Sequence, residues 1–316
     1  MILNSMKQIL GNRLSVHIPS EYKETIEYGG LKLFFPKSAF IFNQHGNREQ
    51  NGVVVGVPKH FNNVKEGDTV WFHHNITTGH ENRLSIGENV TLNPNLIDGE
   101  NKVYSIQYSE DERAGYDVLI YAIKDKDTGE IRSVNDFIFG VPNEETQSEE
   151  TRNGLWIPKR QEKGFRRECK IKYANDSIIK SIGVTSKDLV GIIENSDYVM
   201  DIEEDKVWRF RKKDIVYKRE GDDFTAIGEW VIIDMDAPDT HTDGGLEIPK
   251  NARKLKRTGR AVSVGSLCNE VNPKEDIMII KQSKVYRLYD NVFVTREENL
   301  IPNSFLKAMK EWQQRA

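Results

Sequence analysis

One pattern occurs three times in this chain and constrains its fold more than any other feature. Gly29-Gly30-Leu31-Lys32-Leu33, followed by Pro36, recurs as Asn153-Gly154-Leu155-Trp156-Ile157-Pro158 and again as Gly244-Gly245-Leu246-Glu247-Ile248-Pro249. Each copy follows an apolar, β-branched run (Arg13 to Pro19, Asp136 to Pro142, Glu229 to Met235) and a polar lead, and each is followed by further strand-like runs at 51–57, 169–173 and 258–265. A third element comes at 65–72, 186–193 and 273–280, and each copy closes on Lys-Val-aromatic at 102–104, 206–208 and 284–286. Self-similarity at this length means repeated units, not one large domain. Three modules follow at 8–125, 130–220 and 224–302, the first enlarged by an insertion at 73–101, with charged, turn-like joints at 124–129 and 220–223. Short strands between Gly, Asn and Asp turns, with no long helical period, predict an all-β architecture of partly open barrels. A short helix is expected at 303–316, capped by Asn303 or Ser304 and carrying Phe305, Leu306, Met309 and Trp312 at helical spacing.

Composition excludes several classes. The 316 residues contain no apolar run of membrane-spanning length. With 45 basic against 49 acidic side chains the net charge is −4, so no global field draws the chain onto nucleic acid or an anionic membrane. The first residues lack the apolar core of a signal peptide. Cys169 and Cys268 stand about a hundred positions apart, which excludes a disulfide framework and argues against a cysteine-based zinc site. A reducing compartment, the cytoplasm, is the expected location. No phosphate-binding, dinucleotide-binding, nucleophile-elbow or zinc-protease motif occurs, so the chain is expected not to be an enzyme and to need no cofactor or metal.

The tripeptides are the candidate contact residues. In an extended segment, residues i and i+2 point the same way. Leu31 and Leu33, Leu155 and Ile157, and Leu246 and Ile248 are therefore paired apolar anchors, while Lys32, Trp156 and Glu247 face away. Their glycines, Gly29, Gly30, Gly154, Gly244 and Gly245, read as loop hinges. The acid- and threonine-rich leads at 20–28, 143–152 and 236–243 are too polar to order themselves and are expected to be disordered or extended. Two other clusters have plainer readings. His73, His74 and His80 in the insertion have no cysteine or helically spaced carboxylate beside them, and the basic run from Lys250 to Arg260 lacks the aromatic platforms of a nucleic-acid site and reads as a solvated loop.

Each module resembles the ten-kilodalton co-chaperonin family, the GroES-type lid of chaperonins. The resemblance rests on the Gly-Gly-Leu-x-Ile loop, on Gly259 to Gly265, on Lys65-x-Gly67-Asp68-x-Val70-x-Phe72 and on the closing Val294 to Ile301. Module two keeps the loop but lacks the glycines of its middle strand. The resemblance implies three fused GroES-like barrels with mobile loops, and a roof hairpin in the 73–101 insertion. It also implies a GroEL-type chaperonin as partner, a client protein inside the closed chamber, and a homo-oligomer. Because the family has one module per chain, three in one suggest a divergent, viral form acting in a host cytoplasm. The competing reading is a structural or assembly protein, such as a particle component, that reuses the barrels. It would bury the tripeptides that a lid must expose.

Overall fold

The structure, a computed structural model, describes residues 11–20, 25–28, 31–34, 48–77, 80–82, 90–92, 95–109, 119–143, 149–152, 155–158, 167–193, 198–249, 252–254, 256–280, 285–289 and 291–307. By density of contacts the chain divides into two units. One comprises residues 1–139, 173–175 and 199–209, and the other 140–172, 176–198 and 210–316. The architecture is all-β, with three large antiparallel sheets.

The first sheet is built from β1 (Arg13–His17), β4 (Asn51–Gly56), β5 (Thr69–Phe72), β8 (Leu96–Asp98), β9 (Val103–Gln107), β10 (Ile120–Lys124) and β11 (Ile131–Ser133). Its order is β11-β10-β5-β4-β1-β9-β8. Two small hairpins interrupt the series: β2 (Thr25–Tyr28) with β3 (Leu31–Phe34), and β6 (His80–Asn82) with β7 (Val90–Leu92). Alternation along β4, with Val54 buried and Val53 exposed, turns one face onto a core of Leu14, Val16, Val70, Phe72, Tyr104 and Ile106. Ile76, from the start of the insertion, is fully buried in that core, so this part of the insertion is structural.

The second sheet uses β12 (Phe137–Pro142), β15 (Glu168–Ala174), β16 (Leu189–Ile192), β17 (Tyr198–Ile202), β18 (Asp205–Arg211), β19 (Ile215–Glu220) and β20 (Asp223–Ala226), with a separate hairpin of β13 (Glu149–Arg152) and β14 (Leu155–Pro158) and a short helix α1 (Asp176–Ser181). Its order, β17-β18-β12-β15-β16-β19-β20, repeats that of the first. The third sheet, β24-β25-β21-β22-β23-β26, repeats it again with one strand fewer. It comprises β21 (Trp230–Met235), β22 (Thr258–Val264), β23 (Asp276–Ile279), β24 (Tyr286–Tyr289), β25 (Val292–Arg296) and β26 (Leu300–Pro302).

The charged joints are hairpin turns. Asp125 accepts the N–H groups of Asp127 and Thr128, which holds its carboxyl down at about 2, and Gly129 and Gly221 complete the two turns with positive φ. The strand after each joint pairs back onto the preceding sheet, so the change of sheet falls at 134–136 and 227–229. The second of these passages is packed: Val216, Tyr217, Ala226, Trp230, Ile232, Leu288 and Val294 form one apolar cluster. Residues 303–307 are helical, and Glu275 accepts both the N–H of Ser304 at 3.2 Å and its hydroxyl at 2.5 Å, capping the helix from outside. Met309 and Trp312 lie outside the described residues.

Module two replaces its missing glycine by one on another strand. Gly52 and Gly259 face Val70 and Ile277 across the ladder, and a Cβ on either would clash with the backbone of the first strand. The equivalent partner Val190 faces Cys169, which is fully buried. Room for its Sγ comes from Gly140, where a Cβ would lie 2.4 Å from that sulfur. Gly140→Ala is therefore expected to destabilise the fold by about 1–3 kcal/mol. Adding Cys169→Gly should recover part of the loss in thermal unfolding; an unshifted midpoint for Gly140→Ala would contradict this account.

Candidate functional site

The third loop, between β21 and β22, shows how its tripeptide is built. Thr242 and Leu246 face each other across Asp243, Gly244 and Gly245. The Gly245 N–H donates to the Thr242 carbonyl and the Thr242 N–H to the Leu246 carbonyl, both at 2.8 Å. Gly245 has φ +80°, the left-handed residue that closes a three-residue hairpin loop. The ladder continues with His241 opposite Glu247 and with the Ile248 N–H donating to Thr240 at 2.7 Å. Leu246 is 73% exposed and Ile248 half-buried, so one anchor stands in solvent and the other rests on the loop.

The basic run, where described, is largely exposed, as its reading as a solvated loop expects, and some of its side chains also brace this loop. Arg253 donates to the Ile248 carbonyl at 3.0 Å and reaches Glu247 at 3.5 Å. Lys256 pairs with Asp239 at 2.9 Å, which raises its pKa, and Thr258 donates its hydroxyl to Asp236. Arg260 pairs with Asp276. Exposed pairs of this kind are screened by solvent and contribute little to stability. Glu247→Ala, which removes one, is expected to leave the thermal midpoint nearly unchanged.

The first and second tripeptides occupy the second strands of two hairpins. Leu31, Lys32 and Leu33 in β3 pair with Tyr28, Glu27 and Ile26. Leu155, Trp156 and Ile157 in β14 pair with Arg152, Thr151 and Glu150. The leads, expected to be disordered or extended, are extended strands at 25–28 and 149–152, while 240–242 lies in the third ladder. The physical reason is that a cross-strand partner satisfies backbone N–H and C=O groups whatever the side chains are. Residues 21–24 and 144–148 of those leads lie outside the described residues, as do Gly29, Gly30 and Gly154.

Sequence reasoning missed the cross-strand partners. Gly-Gly and Asn-Gly between two short extended runs are the residue pairs favoured in two-residue hairpin connections, and this signal was available. The paired ends Tyr28/Leu31 and Arg152/Leu155 leave just those two residues between the strands. Register places Ile26 and Tyr28 opposite Leu33 and Leu31, so the first hairpin has four apolar residues at paired positions. The others pair their anchors with Arg152 and Glu150, or with Thr242 and Thr240.

His73 and His74 stack with centroids 4.3 Å apart, and the Asn75 N–H donates to His73 Nδ1, while His80 belongs to the β6–β7 hairpin. Cys268 is half-buried against the carbonyls of Gly228 and Trp230, and burial with nearby Glu297 pushes its thiol up to about 11. Together with the buried Cys169, this predicts slow alkylation of the native protein at neutral pH. Rapid labelling of either thiol under native conditions would contradict it.

Residues 223–299 match the family model described as Chaperonin 10 Kd subunit. The match begins on β20 and spans the third repeat, which is therefore a domain of GroES type. No curated protein matches the chain.

Proposed function

We propose that this protein is a co-chaperonin lid that docks on a GroEL-type chaperonin ring through the three hairpin-borne tripeptides and closes a chamber over a client protein. The observation that carries the reading is Leu246: a large apolar side chain, 73% exposed at the end of a braced hairpin, inside the segment that matches the Cpn10 model. An exposed leucine held out this way loses little by standing in water and gains on entering an apolar groove, about 1.5–3 kcal/mol per fully buried side chain.

The hairpins are partly preorganised, so less ordering cost falls on binding than a disordered loop would carry. Each contact is weak alone. Tethered together, the three re-engage at an effective concentration near millimolar, which multiplies affinity by roughly 10²–10⁴. Weak individual contacts then let the lid leave when the ring changes state. In this reading the ring hydrolyses ATP and the chain itself is not an enzyme, works without a cofactor and shares the cytoplasm of its chaperonin.

Mixing the purified chain with a GroEL-type chaperonin and nucleotide is expected to give a nucleotide-dependent complex on size exclusion. If the two elute separately at micromolar concentration with every nucleotide tried, the lid reading fails and the use of the barrels as structural spacers replaces it.

A further inference from the structure

The third hairpin carries a chemically reactive pair at its tip. Asparagine or aspartate precedes glycine four times in the chain, at Asn51-Gly52, Asp98-Gly99, Asn153-Gly154 and Asp243-Gly244. In such a pair the glycine nitrogen can approach the preceding side chain with no Cβ of its own to hinder it. Asn153-Gly154 lies outside the described residues, and the other three differ sharply. Asn51-Gly52 is inside β4, where Gly52 is buried and the side-chain amide of Asn51 donates to Glu49 at 2.6 Å. In Asp98-Gly99 both carboxylate oxygens are engaged. One accepts the side-chain amide of Asn101 at 2.8 Å and the other its backbone N–H at 3.0 Å, which together lower the carboxyl's pKa.

Asp243-Gly244 has neither restraint. Both residues are exposed, and they are the two central residues of the turn that Gly245 closes by donating to the Thr242 carbonyl at 2.8 Å. Among the described residues the Asp243 carboxyl accepts no hydrogen bond and the Gly244 N–H donates none. The ladder fixes the chain on either side, at Thr242 and Leu246, and leaves the reacting groups between them free to turn toward each other.

We infer that Asp243 is a site of spontaneous isomerisation to isoaspartate, and that this change dismantles the tip that presents Leu246. The Gly244 nitrogen attacks Cγ of the protonated Asp243 carboxyl. A C–N bond forms, and the amide proton leaves with the carboxyl OH as water. A second water then opens the cyclic imide. Where it breaks the original peptide bond, the main chain runs on through Cβ and Cγ, and the α-carboxyl is left as the side group. One water is lost and one regained, and nothing is oxidised or reduced. The main chain is then one carbon longer between Thr242 and Gly245, which the hydrogen-bonded turn cannot absorb. Opening that turn also loosens the pairing of Thr242 with Leu246 and of His241 with Glu247. The reaction needs no partner and stands apart from the lid reading; only its effect on capture rests on that reading.

Ageing the folded full chain and mapping its tryptic peptides tests this, with a synthetic peptide of residues 236–249 aged beside it. The peptide that holds Asp243 is expected to split into two chromatographic forms of equal mass, with fragmentation placing isoaspartate at 243. Accumulation there should be at least about tenfold faster than at Asp98, which must first release its two hydrogen bonds. The rate should fall from about pH 5 to about pH 8, because an ionised carboxyl cannot leave as water. Asp243→Asn, which forms the same imide with ammonia as leaving group, should reverse that pH dependence. Gly244→Ala should slow the reaction while keeping the fold, since the nearest atom to its Cβ would be the Thr242 hydroxyl at 3.9 Å. In the isomerised fraction, amide exchange should show lost protection at Thr242, Gly245 and Ile248, the donors of this hairpin. Intact Asp243 in the chain after the synthetic peptide has isomerised, equal accumulation at Asp98 or Asn51, or an unchanged rate in Gly244→Ala would each overturn the site. Unchanged protection in the isomerised fraction would overturn its structural effect. Chaperonin capture by that fraction should fall as for a single altered loop. Undiminished capture despite the lost protection would count against the third loop as a docking element and leave the isomerisation standing.

Discussion

Replacing Leu31, Leu33, Leu155, Ile157, Leu246 and Ile248 together by Asp is expected to reduce capture by a chaperonin ring by roughly 10²–10⁴-fold. Each charge would have to be desolvated without a partner in the groove that the apolar groups enter. Changing one loop should give a smaller loss and each further loop a larger one, because avidity is removed stepwise. The thermal midpoint should move little, by less than about 2 °C, since Leu246 stands in solvent and the other anchors lie on hairpins separate from the large sheets. The first hairpin, with Ile26 and Tyr28 paired to its anchors, should contribute most. Capture by the sixfold variant at wild-type affinity would remove the lid reading, and unfolding of each pair would make the tripeptides structural strand.

The largest effect on stability is expected from Arg219→Ala. Glu168, on β15, is 1% exposed, with one carboxylate oxygen accepting the Tyr217 hydroxyl at 3.0 Å and the other 2.9 Å from Arg219. The Tyr217 ring reaches it by crossing Gly191, the residue paired between the two, where a Cβ would lie 2.2 Å from the ring. Removing the guanidinium leaves a buried carboxylate without its cation, a class of change that costs 3–5 kcal/mol when both groups are fully buried. Arg219 is 21% exposed, so about 2–4 kcal/mol is expected, or roughly 5–15 °C in thermal midpoint. Adding Glu168→Gln, which keeps an acceptor for Tyr217 and removes the charge, should recover a substantial part. If the double variant is as unstable as the single one, the loss is packing rather than charge.

Much of the fold was legible in the sequence because its punctuation repeats. The runs at 13–19, 51–57 and 258–265 became β1, β4 and β22, since alternating β-branched residues bounded by Gly and Pro have few other solutions. Two kinds of feature were hidden. Hairpin turns and linkers share the same Gly and Asp chemistry, so Glu220 to Asp223 read as a joint although it folds β20 back onto β19. Relations across strands were also invisible: Gly140 making room for Cys169, Arg253 holding the Ile248 carbonyl, and Glu27 paired with Lys32 appear only once register is known. The paired apolar residues of the tripeptides were legible from spacing alone, whereas the strands that pair with them, and the basic residues that brace the third loop, were not.

The central claim, that the three hairpins are where the partner binds, is tested most directly by amide hydrogen exchange of the chain alone and in the presence of a GroEL-type chaperonin with nucleotide. The account predicts new protection at 31–33, 155–157 and 246–248, with their cross-strand partners, and little change in β1, β12 and β21. Unchanged exchange at all three tripeptides, in a mixture where the two proteins demonstrably associate, would contradict it.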